Sequence, residues 1–390
     1  MKRYVKGILT LLLFLSILVV SAQQEKKARN WTLNGHLQSL GTVWVQDWDG
    51  TWQTMNQIKN RFDFRWYPAN FSVHVGMRNN FTYGMMPRLY YPYMADLAVS
   101  DPGYLDMTRL IGKDTSYYMT SNFDRFNIRY SNGDFQATVG RQRINWGINY
   151  VWNPNDIFNT FDYFDFDYVE RPGCDAVHLQ YYTGATSSVE AAIKIDSRDK
   201  ITLAGMYRFN KWNYDFQFLG GYMTGDYVLG AGWSGNIKGA GFNGEMSYFH
   251  PEENFSDTCG VLVGSLGVNY TFRNSLMLQF SGLYNSDGTT GPAGMGAGFF
   301  VYKEVSAKTF TLAKYLLFGN ISYPVTPLFT ASLASMYNPG DKSVFVGPTF
   351  DVSITSNIEF MITAQLFFGD QETEFGDYGK LAYGRLKWNF

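Results

Sequence analysis

Seven arginines recur at short even spacings in the first part of the chain: Arg61 and Arg65, Arg78, Arg125 and Arg129, then Arg141 and Arg143. Guanidinium groups are permanently charged and fork-shaped, so a patch of them steers or holds anions rather than breaking bonds. The segment just downstream supplies the opposite sign. Asp156, Asp162, Asp165, Asp167 and Glu170 are set there among Trp, Tyr and Phe. Carboxylates facing arginines across a wet gap make a transverse field that orients dipolar solutes and hinders apolar ones. The other reading of the same charges is a set of neutralising ion pairs that stiffen a scaffold. Either way the chemistry is selection or support, not bond making.

Other chemistries find few residues. The histidines are His36, His74, His178 and His250. The first three alternate with apolar neighbours, and His250 lies near Glu252 and Glu253 with no clear nucleophile, so a hydrolytic centre is poorly supplied. Asp47, Asp49, Asp370, Glu372, Glu374 and Asp377 are acids in outer loops; solvated loop acids explain them better than a Ca²⁺ site needing six to eight oxygens. No metal-spaced His or Cys set and no phosphate-cradling glycine loop is present, so no metal and no cofactor is expected. Cys174 and Cys259 are expected to be unpaired thiols.

These side chains need elements to hold them, and the composition says which. Aromatics make up 18% of the 390 residues and charged residues 17%, against roughly 25% charged in a soluble domain. Segments of about ten residues alternate oily and wet side chains. Phe62, Phe64 and Trp66 alternate with Arg61, Asp63 and Arg65; Trp212, Tyr214, Phe216 and Phe218 alternate with Asn213, Asp215 and Gln217. That length fits a tilted membrane strand of ~9–11 residues. In lipid every backbone polar group must be paired within the protein, so such strands must close on themselves. Turn signals mark about 18 strands (16–18), starting near Trp31, Gln57, Phe71, Phe123, Asp134, Cys174, Thr186, Lys200, Trp212, Tyr227, Gly239, Cys259, Ser275, Thr309, Pro327, Ser343, Asn357 and Lys380. Tight turns such as 67–70, 131–134 and 183–186 alternate with long links such as 84–122, 145–173 and 285–308, and both termini fall on the tight-turn side, which requires an even count. The expected fold is therefore all-β: one transmembrane, antiparallel, up-and-down β-barrel spanning residues 23–390. Strict alternation in its fifth strand would aim Arg141 and Arg143 at lipid, and a bulge at Gly140 is expected to turn them inward.

At the start, Lys2, Arg3 and Lys6 precede the apolar run 8–20 and the small residues of Val20-Ser21-Ala22, a secretory signal peptide with cleavage after residue 22. Its removal leaves 29 basic against 34 acidic residues, no footprint for nucleic acid. Residues 23–30 are too short to form a plug domain. At the other end Ala382, Gly384, Leu386, Trp388 and Phe390 share a face opposite Tyr383, Arg385, Lys387 and Asn389. This closing strand, with Trp388 and terminal Phe390, resembles the insertion signal of Gram-negative outer-membrane β-barrels of the porin type. The resemblance implies residence in the outer membrane, lipid and lipopolysaccharide around the wall, and delivery by barrel-assembly machinery. Trp66, Tyr130, Trp212 and Trp388 would form interfacial girdles.

The run Gly140-Arg-Gln-Arg-Ile-Asn-Trp-Gly147, with Asn153-Pro-Asn-Asp156 behind it, resembles a stretch of porin-like and alginate-export-like barrels. It implies that Arg141 and Arg143 are lumen residues near the narrowest point. As the third loop does in general porins, segment 145–173 is expected to fold into the lumen and narrow it. The expected function is a porin or channel for passive diffusion of small polar or charged solutes, with no enzymatic activity. The alternatives are an exporter or partner-dependent transport barrel for polysaccharide or other anionic solute, and an outer-membrane enzyme or surface adhesin barrel. The oligomeric state is not legible.

Overall fold

The computed structural model describes residues 30–167, 170–294 and 305–390. The expected signal peptide lies outside the described residues. In chain order the strands are β1 (Trp31–Val45), β2 (Gln53–Trp66), β3 (Phe71–Gly84), β4 (Thr108–Asp114), β5 (Tyr117–Asn132), β6 (Phe135–Gln142), β7 (Cys174–Gly184), β8 (Ser187–Ile195), β9 (Ile201–Lys211) and β10 (Tyr214–Met223). They continue as β11 (Asp226–Ile237), β12 (Ala240–Pro251), β13 (Val261–Thr271), β14 (Met277–Asn285), β15 (Tyr315–Thr326), β16 (Phe329–Tyr337), β17 (Val344–Thr355), β18 (Ile358–Phe368) and β19 (Lys380–Asn389). Two single-turn helices, α1 (Met85–Leu89) and α2 (Tyr93–Leu97), precede β4. No described helix is long and apolar enough to cross a membrane.

Every strand pairs antiparallel with its neighbours, and β1 pairs with both β2 and β19, so the sheet closes. The inner half of β5 lies between β3 and β6, and its outer half between β3 and β4. The closed wall therefore has eighteen strands, and β4 is a short insert above β6. Sequence alternation located those eighteen within a few residues. It missed β4, hidden in what read as one long link, and it started β5 at Phe123 where the strand begins at Tyr117. Pairing is carried by backbone groups, so β5 continues upward although its outer half lacks clean alternation.

The wall has an oily outside. Phe218, Leu229, Met246 and Leu266 are 45–68% exposed, while Gln217, Glu245 and Ser247, one residue away along the same strands, are buried. Aromatics gather at the tight-turn rim. Trp31, Trp66, Trp212 and Trp388 are exposed there, as amphipathic rings are at a membrane–water boundary. The seam is finished by the last residue. Phe390 and Gly35 exchange two backbone hydrogen bonds of 2.9 Å. A Cβ on Gly35 would stand 2.8 Å from the Phe390 ring, so glycine lets that ring lie flat against β1. Both cysteines are free thiols, Cys174 buried and Cys259 exposed.

Candidate functional site

The described residues between β6 and β7, 143–167 and 170–173, run along the inner surface of the wall. Residues 144–158 pack against β8 to β13. Ile144, Trp146, Val151, Trp152, Ile157 and Phe158 are buried, and so are Asn153, Asn155 and Asp156. A strand-free stretch leaves its backbone groups without partners, and here the wall supplies them. Glu245 of β12 is the centre of this anchoring. Its carboxylate accepts from the backbone N–H of Ile148, of Asn149 (2.6 Å) and of Asn155 (3.1 Å). The Gln217 amide of β10 donates to the Trp146 carbonyl at 2.6 Å, and the Trp146 indole donates to Glu190 of β8 at 3.0 Å. Ser247 donates to Asn155 Oδ1, Ser265 to the Trp152 carbonyl, and Lys194 to the Phe158 carbonyl, all at 2.7–2.8 Å.

Residues 161–167 then cross to the other side of the barrel. The Phe164 ring sits edge-on to Phe345, Phe367 and Phe375, with centroids 5.0, 5.2 and 6.2 Å away. Tyr163 does the same against Phe318 at 5.3 Å, and burial pushes its phenol up to about 12. Each such pair adds about 0.5–1.5 kcal/mol beyond area burial, so an apolar tract that water would reject is stable here. Asp167 ends this tract in an ionic mooring. It meets Lys59 of β2 at 2.6 Å, Gln38 of β1 at 2.8 Å and Arg385 of β19 at 3.4 Å. The segment returns past β2 and β5, where Glu170 lies 3.9 Å from both Arg61 and His36. Burial works to raise the Glu170 carboxyl, but Arg61 and Arg78 outweigh it and hold the group below its ordinary range.

The arginines fall into two groups. Arg61 is buried, bonded to Asp124 and 3.3 Å from Asp63. Arg78 is buried. Arg125 donates to the backbone carbonyls of Asp124 (2.7 Å), Arg171 (2.8 Å) and Glu170. Arg141 is clamped between Asp175 and Asp101, each at 2.8 Å, with Leu105 O as a further acceptor. These side chains staple segments together. Arg65 and Arg129 are exposed instead, held by Asp63 (2.9 Å) and the Thr138 hydroxyl (3.1 Å). Arg143 bonds Asn145 at 2.9 Å. Gly140 has φ +111°, but strand pairing passes through it on both sides without a register shift. The expected extra residue is therefore absent; the positive φ alone marks the break, which needs glycine.

The acids are similarly divided. Asp156 is fully buried, with Oδ2 lacking a partner, and burial raises its carboxyl to about 7. Burial also raises Asp165, against the pull of Lys59 and Arg78. Asp162 accepts from the Phe164 N–H at 2.9 Å. Asp167 and Glu170 are brought to cations, as above; Asp156 and Asp165 are not.

Sequence reading missed Asp124, Lys59, Arg385 and Glu245. Lys59 and Arg385 share the parity of the wet faces already legible in β2 and β19. Asp124 was hidden because the β3–β5 register shifts between Gly76 and Met77; this bulge buries Asp124 and Arg125 together.

The segment leaves open volume on both sides. Toward the long-loop end, a cavity of about 550 Å³ reaches Asp196, Arg198 and Thr224. Toward the tight-turn end, a cavity of about 510 Å³ lies between Tyr150, Phe161 and Tyr163 of the segment and the inner faces of β14 to β18. Residues 157–160 line the first and 161–163 the second.

No protein-family model matches the chain, and no curated protein matches it. Solved structures do. The outer membrane protein OprD from Pseudomonas aeruginosa superposes with a TM-score of 0.55 at 10% identity, covering 95% of each chain. OccAB4 of Acinetobacter baumannii gives 0.57 at 8% identity, covering 93% of this chain and 99% of that one. OccK11 (OpdR) of Pseudomonas aeruginosa gives 0.54 at 8% identity, covering 92% and 95%. With eighteen strands, a closed antiparallel ring and superposition over nearly the whole length, this chain has the fold of outer-membrane porin-type β-barrels.

Proposed function

We propose that this chain is an outer-membrane channel through which small polar or charged solutes diffuse passively, with segment 143–173 as its constriction. The observation that carries this reading is the course of the segment: it is fastened to the inner faces of β8 to β13, of β15 to β19, and of β1, β2 and β5, and it separates two chambers. A barrel of 16–18 strands encloses a channel rather than a packed core, so an inward fastening of this kind narrows a water path. Arg65 and Arg129 are exposed cations of β2 and β5, Arg198 and Lys200 line the outer chamber, and Asp162 and Arg171 line the inner one. The role is sieving, not catalysis. The wall's girdle and the Phe390 seam fit a lipid and lipopolysaccharide surround and delivery by assembly machinery.

Reconstitution in planar bilayers tests the reading. Discrete ionic current is expected, with a larger conductance when residues 157–166 are replaced by a short Gly-Ser linker. A barrel that inserts, migrates as folded before heating and still carries no current, in either form, would overturn it.

A further inference from the structure

The wall is divided electrostatically. No Lys or Arg occurs in β10 through β18, half of the barrel. Against that half lies the chamber of about 510 Å³, within the ~300–1,000 Å³ of small-molecule sites. Its wall is built of amides and hydroxyls in register. Gln279 stands directly across from Asn320, and Ser332 across from Thr349, which stands across from Thr363. Gln279 is buried, and its Nε2 has no hydrogen-bond partner. A buried amide donor without a partner loses about 1–3 kcal/mol of desolvation, and Gln279 is one of the residues that line the cavity. The Asn320 and Ser332 side chains also make no hydrogen bond among the described residues. The opposite face of the chamber is aromatic. Tyr150 is 59% exposed, and the Arg171 guanidinium lies 3.1 Å from the centroid of the Phe161 ring.

We propose that this chamber binds an uncharged polyhydroxylated solute, a mono- or disaccharide, between the amide–hydroxyl belt of β14–β17 and the Tyr150 ring. The chemistry is matched on both sides. Sugar hydroxyls both donate and accept, as the Gln279 and Asn320 amides and the Ser332 hydroxyl require. The C–H face of a pyranose ring packs on an aromatic face. A net anion of the same size finds no cation on the β14–β18 wall, and on the segment side it meets two carboxylates, Asp162 and Asp165, against the single guanidinium of Arg171. The proposal rests on the channel reading for how the solute arrives, not for why it is held.

The test uses the full-length protein in planar bilayers, with glucose, maltose and gluconate as probes. Maltose and glucose should interrupt the ionic current at millimolar concentration, and gluconate should do so at least about tenfold less well. The Q279A/N320A double variant should weaken the maltose block about tenfold, as expected for one to two neutral hydrogen bonds, with open conductance unchanged. Tyr150→Ala, which leaves the wall intact, should weaken it similarly. Equal block by gluconate, or block that both variants leave unchanged, overturns the proposal while the channel stands. Absence of any current overturns the channel reading; calorimetric titration of the detergent-solubilised protein with maltose then decides the site, and no heat of binding overturns it too.

Discussion

Glu245→Gln isolates what holds the inward segment. The wild-type carboxylate accepts three backbone N–H groups, from Ile148, Asn149 and Asn155. Gln keeps one oxygen for the first two and turns an NH2 toward the Asn155 N–H, donor against donor. The loss is one charge-assisted bond, about 1.5–3 kcal/mol, together with an orphaned buried amide at about 1–3 kcal/mol. Part of this is returned, because a carboxylate in a buried site is itself costly to desolvate. The net is about 2–3 kcal/mol, a rise of roughly thirty- to a hundred-and-fiftyfold in the undocked population. Arg143 and Arg171 flank the segment, so trypsin cleavage of the reconstituted protein reports undocking, and open-channel current noise reports it independently. Ser247→Ala, which removes only the 2.8 Å bond to Asn155 Oδ1, should sit between the two with a loss of about 0.5–1.5 kcal/mol. Cleavage rate and noise indistinguishable between Glu245→Gln and wild type would refute the claim that this carboxylate is the anchor.

Two further outcomes follow from the same geometry. Asp156 is raised from 3.8 to about 7 by burial, so between about pH 4 and 7 the docked state binds more protons than the released one. Docking is then strongest below pH 4 and weakens as pH climbs through 7; protease sensitivity should rise over that window, and Asp156→Asn should flatten it. Arg141→Met leaves Asp101 and Asp175 facing each other without their shared cation, a loss of about 3–5 kcal/mol; the temperature at which the barrel loses its folded electrophoretic mobility should drop markedly, while Arg129→Ala, whose only described side-chain bond is to Thr138, should leave it unchanged.

The barrel was legible because period-two alternation survives in nearly every strand: one face meets hydrocarbon and the other water, and each residue declares its side. Legibility failed where backbone geometry overrides that rule. At Asp124 one extra residue puts two neighbours on the same face. At Gly140 a positive φ breaks the rhythm without breaking the pairing. β4 is short, lies beside a strand rather than within the ring, and has no alternating surface to declare. The segment's excess of aromatics was plain in the sequence, but its anchor was not. Glu245 is the solitary acid of β12, flanked on its inward face by Asn243 and Ser247, and its worth comes from backbone amides 90 or more residues away. The same limit applies to Arg61 and Arg141: their types suggested a charged wall, whereas their partners Asp124, Asp101 and Asp175 make them fixed ties.

The mooring of Asp167 imposes an order of events. Gln38 and Lys59 belong to the first two strands and Arg385 to the last, so their three side chains converge only once the chain's beginning has zipped to its end. Until then the carboxylate has no berth. This tie between the crossing segment and the wall is consequently made last, and it holds three strands at the seam to one carboxylate.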